Sequence, residues 1–313
     1  MQVTALAGGV GAGKFLRGLV RAVPPADVTV IVNTADDVTM HGLHVSPDLD
    51  SVTYWLGDVF DAERGWGRRD ETFRATEELG RFDPDLAWFS LGDLDLATHL
   101  FRTRLLADGR TLTEVTARIA ARFGIASRLL PMTDQRVTTR ISAVADGVEL
   151  DLHFQEYWVR RGARDEVKAV RYEGAATVRP GPHVLAALAE ADAVIICPSN
   201  PIASIGPILA VPGVREAVAA RRPRVVGVSG IVGGAPLAGM ADKLMPAAGV
   251  EVTAAGAAEC YHGLLGGWVI DEVDRGLGAR IEATGARVAV TDTIMTDDGK
   301  AEALARVALD LVR

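Results

Sequence analysis

The chain has 313 residues, of which 49% are apolar and 24% charged, the balance of a soluble globular protein with a sizeable core. Its net charge of −8 argues against nucleic acid as a partner, which calls for a basic surface. No apolar run approaches the ~18 residues of a membrane span, and two cysteines, Cys197 and Cys260, cannot build a disulfide framework or a zinc site.

A short apolar run at residues 3–7 breaks into Gly8, Gly9, Gly11 and Gly13. Phe15, Leu16, Leu19, Val20 and Val23 then recur at helical spacing, and Pro24-Pro25 stops the helix. This is the layout of a strand, a glycine-rich turn and a helix N-terminus. Bare backbone N–H groups, no Cβ and the helix dipole suit such a turn to an anion. The plain alternative is a tight turn with no ligand. Because the chain opens in a core strand with no charged n-region, no signal peptide is expected, and the expected compartment is the cytoplasm. Two known phosphate motifs are broken here. Gly8-x-x-x-x-Gly13-Lys14 matches the P-loop until Phe15 stands where Ser or Thr would hold magnesium. The dinucleotide fingerprint G-x-G-x-x-G fails at Lys14 or at Leu16, depending on its start.

Residues 28–32 (VTVIV) form a continuous β-branched run, as in a buried parallel strand. An acidic loop follows, with Asp36, Asp37, Asp48 and Asp50 close to His41, His44 and Ser46-Pro47. Hard oxygen ligands suit magnesium, and a divalent ion would relieve the repulsion between these carboxylates and a phosphate on the turn. Asp36 and Asp50 are the metal candidates, with the two histidines a weaker transition-metal alternative. Asp48 serves equally well as the cap of a helix starting near Ser51.

Residues 86–91 (LAWFSL) read as a strand ending at Gly92-Asp93. Residues 94–123 read as a small helical insertion broken at Asp108-Gly109, in which Asp95 and His99 share a face. Residues 137–154 alternate around Asp146-Gly147, a hairpin signal. The flanking segments 131–135 and 153–158 place aromatics beside amides and a carboxylate, suited to a flat heteroaromatic ring or simply to the core. Strands at 193–197 and 225–228 end in polar loops, the first in Ser199 and Asn200, with helices expected over 182–191 and 301–313. The expected fold is α/β: one three-layer, Rossmann-like domain over 1–313, with a mostly parallel sheet, the helical insertion and an antiparallel hairpin. No G-x-S-x-G elbow or Cys/His pair points to covalent catalysis.

Seven segments together, GGVGAGKFLRGL (8–19), VNTADD (32–37), SPDLD (46–50), RGWGRRDET (64–72), LGDLDLATHLFR (91–102), HFQEYWV (153–159) and SNPIASIGPIL (199–209), resemble the 2-phospho-L-lactate transferases and their phosphoenolpyruvate-using actinobacterial relatives. The resemblance covers nearly the whole chain. It implies a step of coenzyme F-420 synthesis: a three-carbon acid and its phosphate pass from a guanosine diphospho donor to the ribityl hydroxyl of the deazaflavin Fo, magnesium is required, and GMP leaves. It implies that Gly8, Gly9 and Gly11 face the diphosphate, that Asn33, Thr34, Ser199 and Asn200 line the guanosine, that Asp36 and Asp50 hold magnesium, and that Asp50, Asp93 and the surroundings of His99 meet Fo. For that chemistry Lys14 would stabilise phosphate charge and Asp37 or Asp50 would take the hydroxyl proton. A homodimer is expected from the same relatives. The residues do not read out a lactyl, enolpyruvyl or glyceryl donor, although the Arg- and Ala-rich composition leans towards enolpyruvyl. Two rivals are a nonenzymatic nucleotide-sugar-binding regulator of the same superfamily and a divergent P-loop NTPase, the latter disfavoured by Phe15.

Overall fold

The computed structural model describes residues 1–312. Strand β1 (Val3–Ala7) leads through the glycine turn into helix α1 (Gly9–Ala22) and then into β2 (Val28–Val32), which pairs with β1 in parallel, Val3 opposite Val28. A small hairpin follows, β3 (Val38–Met40) and β4 (Leu43–Val45). His41 and Gly42 at its tip both have positive φ, as a two-residue hairpin turn requires. Helices α2 (Pro47–Leu56), α3 (Arg74–Phe82), α4 (Asp93–Ala107) and α5 (Leu112–Arg122) come next. Then come β5 (Arg128–Pro131), β6 (Thr138–Ala145), β7 (Val148–His153), β8 (Glu166–Glu173), β9 (Ala193–Ile196), β10 (Val225–Val228), the short hairpin β11 (Ile231–Val232) and β12 (Ala235–Pro236), β13 (Gly267–Asp271) and β14 (Arg287–Thr291). The last helix runs over Asp298–Asp310.

Seven strands form one parallel sheet in the order β14-β13-β10-β9-β1-β2-β5. From β1 the chain first builds outward through β2 and β5, then returns to the other side of β1 and builds through β9 to β14. The order therefore reverses between β1 and β9, and ligands of open α/β sheets gather at the carboxyl ends of the strands at such a point. Alternate side chains feed two cores. Val3, Ala5 and Ala7 face α1 and the last helix, while Leu6 faces Val184, Leu188 and Ile208 on the opposite side. The result is the expected three-layer α/β architecture.

Two glycines of the opening motif serve packing. A Cβ on Gly13 would lie 2.2 Å from the Trp55 ring, and one on Gly18 would lie 2.1 Å from the Ala301 carbonyl carbon. They let α1 close onto α2 and onto the last helix. The expected hairpin forms around Asp146-Gly147, both at positive φ. A third antiparallel strand, β8, joins it; its half-exposed, charge-rich alternation hides it in the sequence. The strand expected at 86–91 does not form. Pro84–Leu86 is a 3₁₀ turn whose N-cap Asp83 accepts from the Asp85 N–H, and Trp88 and Phe89 pack onto the β3–β4 hairpin without a strand to pair with. The helices expected over 94–123 are α4 and α5, broken at Asp108-Gly109, and α5 enters the sheet core through Leu112 and Ala120. Among the described residues no single helix is long and apolar enough to cross a membrane.

Candidate active site

The glycine turn sits at the reversal between β1 and β9. Gly8 is extended and Gly9 has φ +72, a conformation that favours glycine. A Cβ on Gly8 would lie 2.4 Å from Asp48 Oδ2 and 2.6 Å from Ser204 Cβ; one on Gly11 would lie 2.5 Å from the Pro198 carbonyl oxygen. Bare glycines thus let the turn close against both the start of α2 and the loop after β9. The Gly8 N–H points at Ser199 Oγ, 3.4 Å away. Asn200 is committed to its own loop, its Oδ1 accepting from the N–H groups of Ile202 and Ala203. Lys14, half-buried on α1, has no ion-pair partner among the described residues.

The loop after β2 carries carboxylates into this crevice. Asn33 is fully buried and spent internally: its Nδ2 donates to Asp48 Oδ2 at 2.9 Å and to the Ala203 carbonyl, and its Oδ1 accepts from the Ala35 N–H. Asn33 therefore holds Asp48 against the turn and leaves no amide group for a ligand. Thr34 Oγ1 and one oxygen each of Asp36 and Asp37 are buried without a partner among the described residues. The other Asp37 oxygen accepts from Ser46 Oγ at 2.8 Å and lies 2.9 Å from His44 Nε2. Burial is the main cause that pushes Asp48 up to about 7. Burial, with the Asp48 charge adding to it, pushes Asp36 well above the usual carboxylate range. Asp37 is raised by burial too, against the pull of His44 and Ser46. Buried Asp36 and Asp48 and half-buried Asp37 thus converge with no arginine or lysine paired to Asp36 or Asp48 among the described residues.

Asp50 belongs to a different cluster. Two residues beyond Asp48 on α2, it points about 200° around the helix. Both its oxygens are taken by the Arg102 guanidinium, Nη1 at 3.1 Å and Nη2 in a shorter contact. Arg102 Nη1 also donates to His99 Nδ1 at 3.1 Å, and His99 Nε2 lies 3.2 Å from Asp95 Oδ1 without a well-aligned hydrogen bond to it. The Tyr54 hydroxyl donates to the same Asp95 oxygen. Burial alone would raise Asp95, but His99 and Tyr54 hold it below its ordinary value. Asp50, Asp95 and His99 offer ligand atoms within 4.8 Å of one another, yet Arg102 already supplies the cation there. The structure thus brings Asp36 together with Asp48 and places Asp50 with Arg102 and His99. Asp93, at the start of α4, ties that helix to α3: it accepts from Thr72 Oγ1 and the Ala75 N–H.

Arg102 was not among the candidate residues, because single arginines carry little signal in an Arg-rich chain. Its spacing held the signal: Asp95, His99 and Arg102 fall at i, i+4 and i+7, one face of a helix.

Comparisons with known proteins give this geometry a family. The profile of the 2-phospho-L-lactate transferase CofD family matches residues 3–308. A phosphoenolpyruvate transferase of Streptomyces griseus is 50% identical over 312 residues, covering 99% of this chain and 98% of its own. One of Streptomyces coelicolor is 49% identical with the same coverage, and one of Thermobifida fusca is 44% identical over 320 residues. A crystal structure of a UPF0052 family member from Bacillus halodurans superposes with TM-score 0.63 over 98% of both chains; at 16% identity it speaks for the fold alone. With a whole-length profile match and relatives at half identity, the chain belongs to the 2-phospho-L-lactate transferase CofD family.

Proposed function

We propose that this protein is a phosphoenolpyruvyl or 2-phospholactyl transferase of coenzyme F-420 synthesis. It moves the unit from an enolpyruvyl- or lactyl-diphospho-guanosine donor to the terminal ribityl hydroxyl of Fo and releases GMP. The relatives named phosphoenolpyruvate transferases, matched end to end, favour the enolpyruvyl donor. The observation that carries the reading is the glycine turn at the sheet reversal, set against buried carboxylates that lack a cation.

Magnesium fits this crevice. Asp36 has a buried oxygen without a partner, and Asp48 is strained towards protonation beside an anion-binding turn. These hard oxygens would hold the ion; Asp50, saturated by Arg102, is the weaker ligand. When bound, the ion supplies charge neutralisation at the diphosphate. The remaining roles fall to the chain itself. The Gly8–Gly11 turn binds the diphosphate, and Lys14 offers its free ammonium to the same charge. Thr34, Ser199 and the Asn200 amide NH₂ face the nucleotide side. The ribityl oxygen attacks the phosphorus that bears the three-carbon acid, the bond to the GMP phosphate breaks, and GMP leaves with the electron pair. The hydroxyl proton passes to the unpartnered oxygen of Asp37, whose affinity for protons burial raises above the ordinary carboxylate value.

The test is turnover with magnesium, Fo and each guanosine diphospho donor, with products read by mass spectrometry. An Fo phosphodiester with GMP is the expected result and names the acid. Folded protein that makes no product and binds no Fo would overturn the reading in favour of a nonenzymatic nucleotide-sugar binder.

A further inference from the structure

A cleft of about 480 Å³ opens on the far side of the acidic loop, lined by Met40, Trp88, Arg136, Arg140, His153 and Arg160 among others. It shares a wall with the candidate active site: β3 leads straight from Asp37 into it, and His153 Nε2 donates to the Asp37 carbonyl at 3.2 Å. In a chain of net charge −8 this cleft is locally cationic, three arginines facing one carboxylate, Glu156.

The guanidinium groups are under-supplied with acceptors. Arg136 is exposed and has no ion-pair partner among the described residues. Arg140 Nε is buried with nothing to donate to, while its Nη2 shares Asp151 with Arg171, so that one carboxylate serves two arginines. Arg160 reaches only the exposed Asp85, 3.3 Å away, and leans over the Trp88 ring. A buried guanidinium N–H without an acceptor is costly unless a ligand brings one, and the arginine fork matches a carboxylate.

Resting on the transferase reading above, we propose that this cleft is the carboxylate subsite of the donor: Arg136 and Arg140 bind the carboxylate of the three-carbon acid while its phosphate lies at the acidic loop. Lactyl, enolpyruvyl and glyceryl donors all carry that carboxylate, so the subsite recognises the acid class and orients it. Trp88 and Met40 supply the apolar wall against its carbon chain.

The probes are phosphoenolpyruvate and isopropyl phosphate, which share a phosphate on a three-carbon skeleton; isopropyl phosphate lacks the carboxylate and the enol double bond. Calorimetry on the wild type with magnesium should find phosphoenolpyruvate bound about 10–100-fold more tightly than isopropyl phosphate. Arg136→Gln and Arg140→Gln should remove most of that preference and leave isopropyl phosphate binding unchanged, with thermal melts to confirm folding. Equal binding of both probes by the wild type, or a preference that survives both substitutions, would overturn the proposal. This measurement stands whether or not turnover is found. Where turnover exists, the same variants should raise KM for the donor and spare KM for Fo; the reverse pattern would assign the cleft to the acceptor ring instead and also overturn the proposal.

Discussion

Asp48 and Asp50 sit two residues apart on one helix, both buried, and face opposite electrostatic situations. Asp50 points into a network in which Arg102 answers its charge with both ends of its guanidinium, while His99, Asp95 and Tyr54 pack around the pair and only Arg102 Nε and His99 Nε2 lack a hydrogen-bond partner among the described residues. Asp48 points into the crevice with Asp36 and Asp37, and only amides answer it. A buried charge with its partner is a structural element, whereas a buried charge without one is a site waiting for a cation. The difference separates the part of this acidic region that holds the fold from the part proposed to meet the metal and the diphosphate.

The comparison breaks most directly at Arg102. Replacing Arg102 by Met strands Asp50 beside His99 and Asp95, and should cost about 3–5 kcal/mol of stability, read as a lower midpoint in urea at constant slope. Arg102→Lys keeps the charge without the fork and should cost less. A loss under about 1 kcal/mol for Arg102→Met would be the scale of an exposed ion pair and would erase the contrast with Asp48.

Asp37 stands between the two clusters and sharpens the comparison. One oxygen is engaged by His44 and Ser46, and the other is buried and open. If it takes the hydroxyl proton, Asp37→Asn should lower kcat by about 10²–10⁴-fold with little change in KM for the donor. Asp50→Asn should act mainly through stability, because its oxygens already belong to Arg102. Equal losses of kcat in the two folded variants would reject this division of labour.

The sequence made the framework legible where the information is local. Residues 3–7, 28–32, 193–197 and 225–228 are buried apolar runs, the first ending in the glycine turn and the others in polar loops, and the sheet uses all four. Asp146-Gly147 carries its turn type in its own φ preferences. Residues 86–91 misled because an apolar run forms a strand only where a neighbour offers backbone partners, and here Trp88 and Phe89 meet side chains instead. Strand β8 was hidden for the opposite reason: its partner, β6, exists, but its own side chains are half solvated. At the site, the glycine turn and the acidic loop could be read. Which aspartate faces which neighbour could not, since nothing in SPDLD states the rotation of α2. Asn33 illustrates the limit: its place beside the turn was readable, but its use as an internal brace for Asp48 depends on contacts 15 and 170 residues away.

A pH-dependent effect bears directly on the claim that Asp48 lacks a cation. Its folded pKa is raised, from 3.8 to about 7. A raised carboxyl contributes stability that is fully present below its unfolded pKa and is lost as pH rises through its folded pKa. In metal-free protein, wild type and Asp48→Asn should therefore keep a constant difference in stability below about pH 4. Between there and pH 8 the wild type should lose ground to the variant by about 4 kcal/mol. The difference between the two proteins is the quantity to follow, because it cancels the acid titration of salt-bridged carboxylates such as Asp151, held down at about 2 by Arg171 and Arg140. Magnesium at pH 8 should then raise the wild-type melting temperature more than that of Asp48→Asn, since an ion that binds only the folded state stabilises it by mass action. A difference that stays flat with pH and ignores magnesium would mean that the Asn33 and Gly9 amides already satisfy Asp48, and that the crevice, like the Arg102 network, is electrostatically complete on its own.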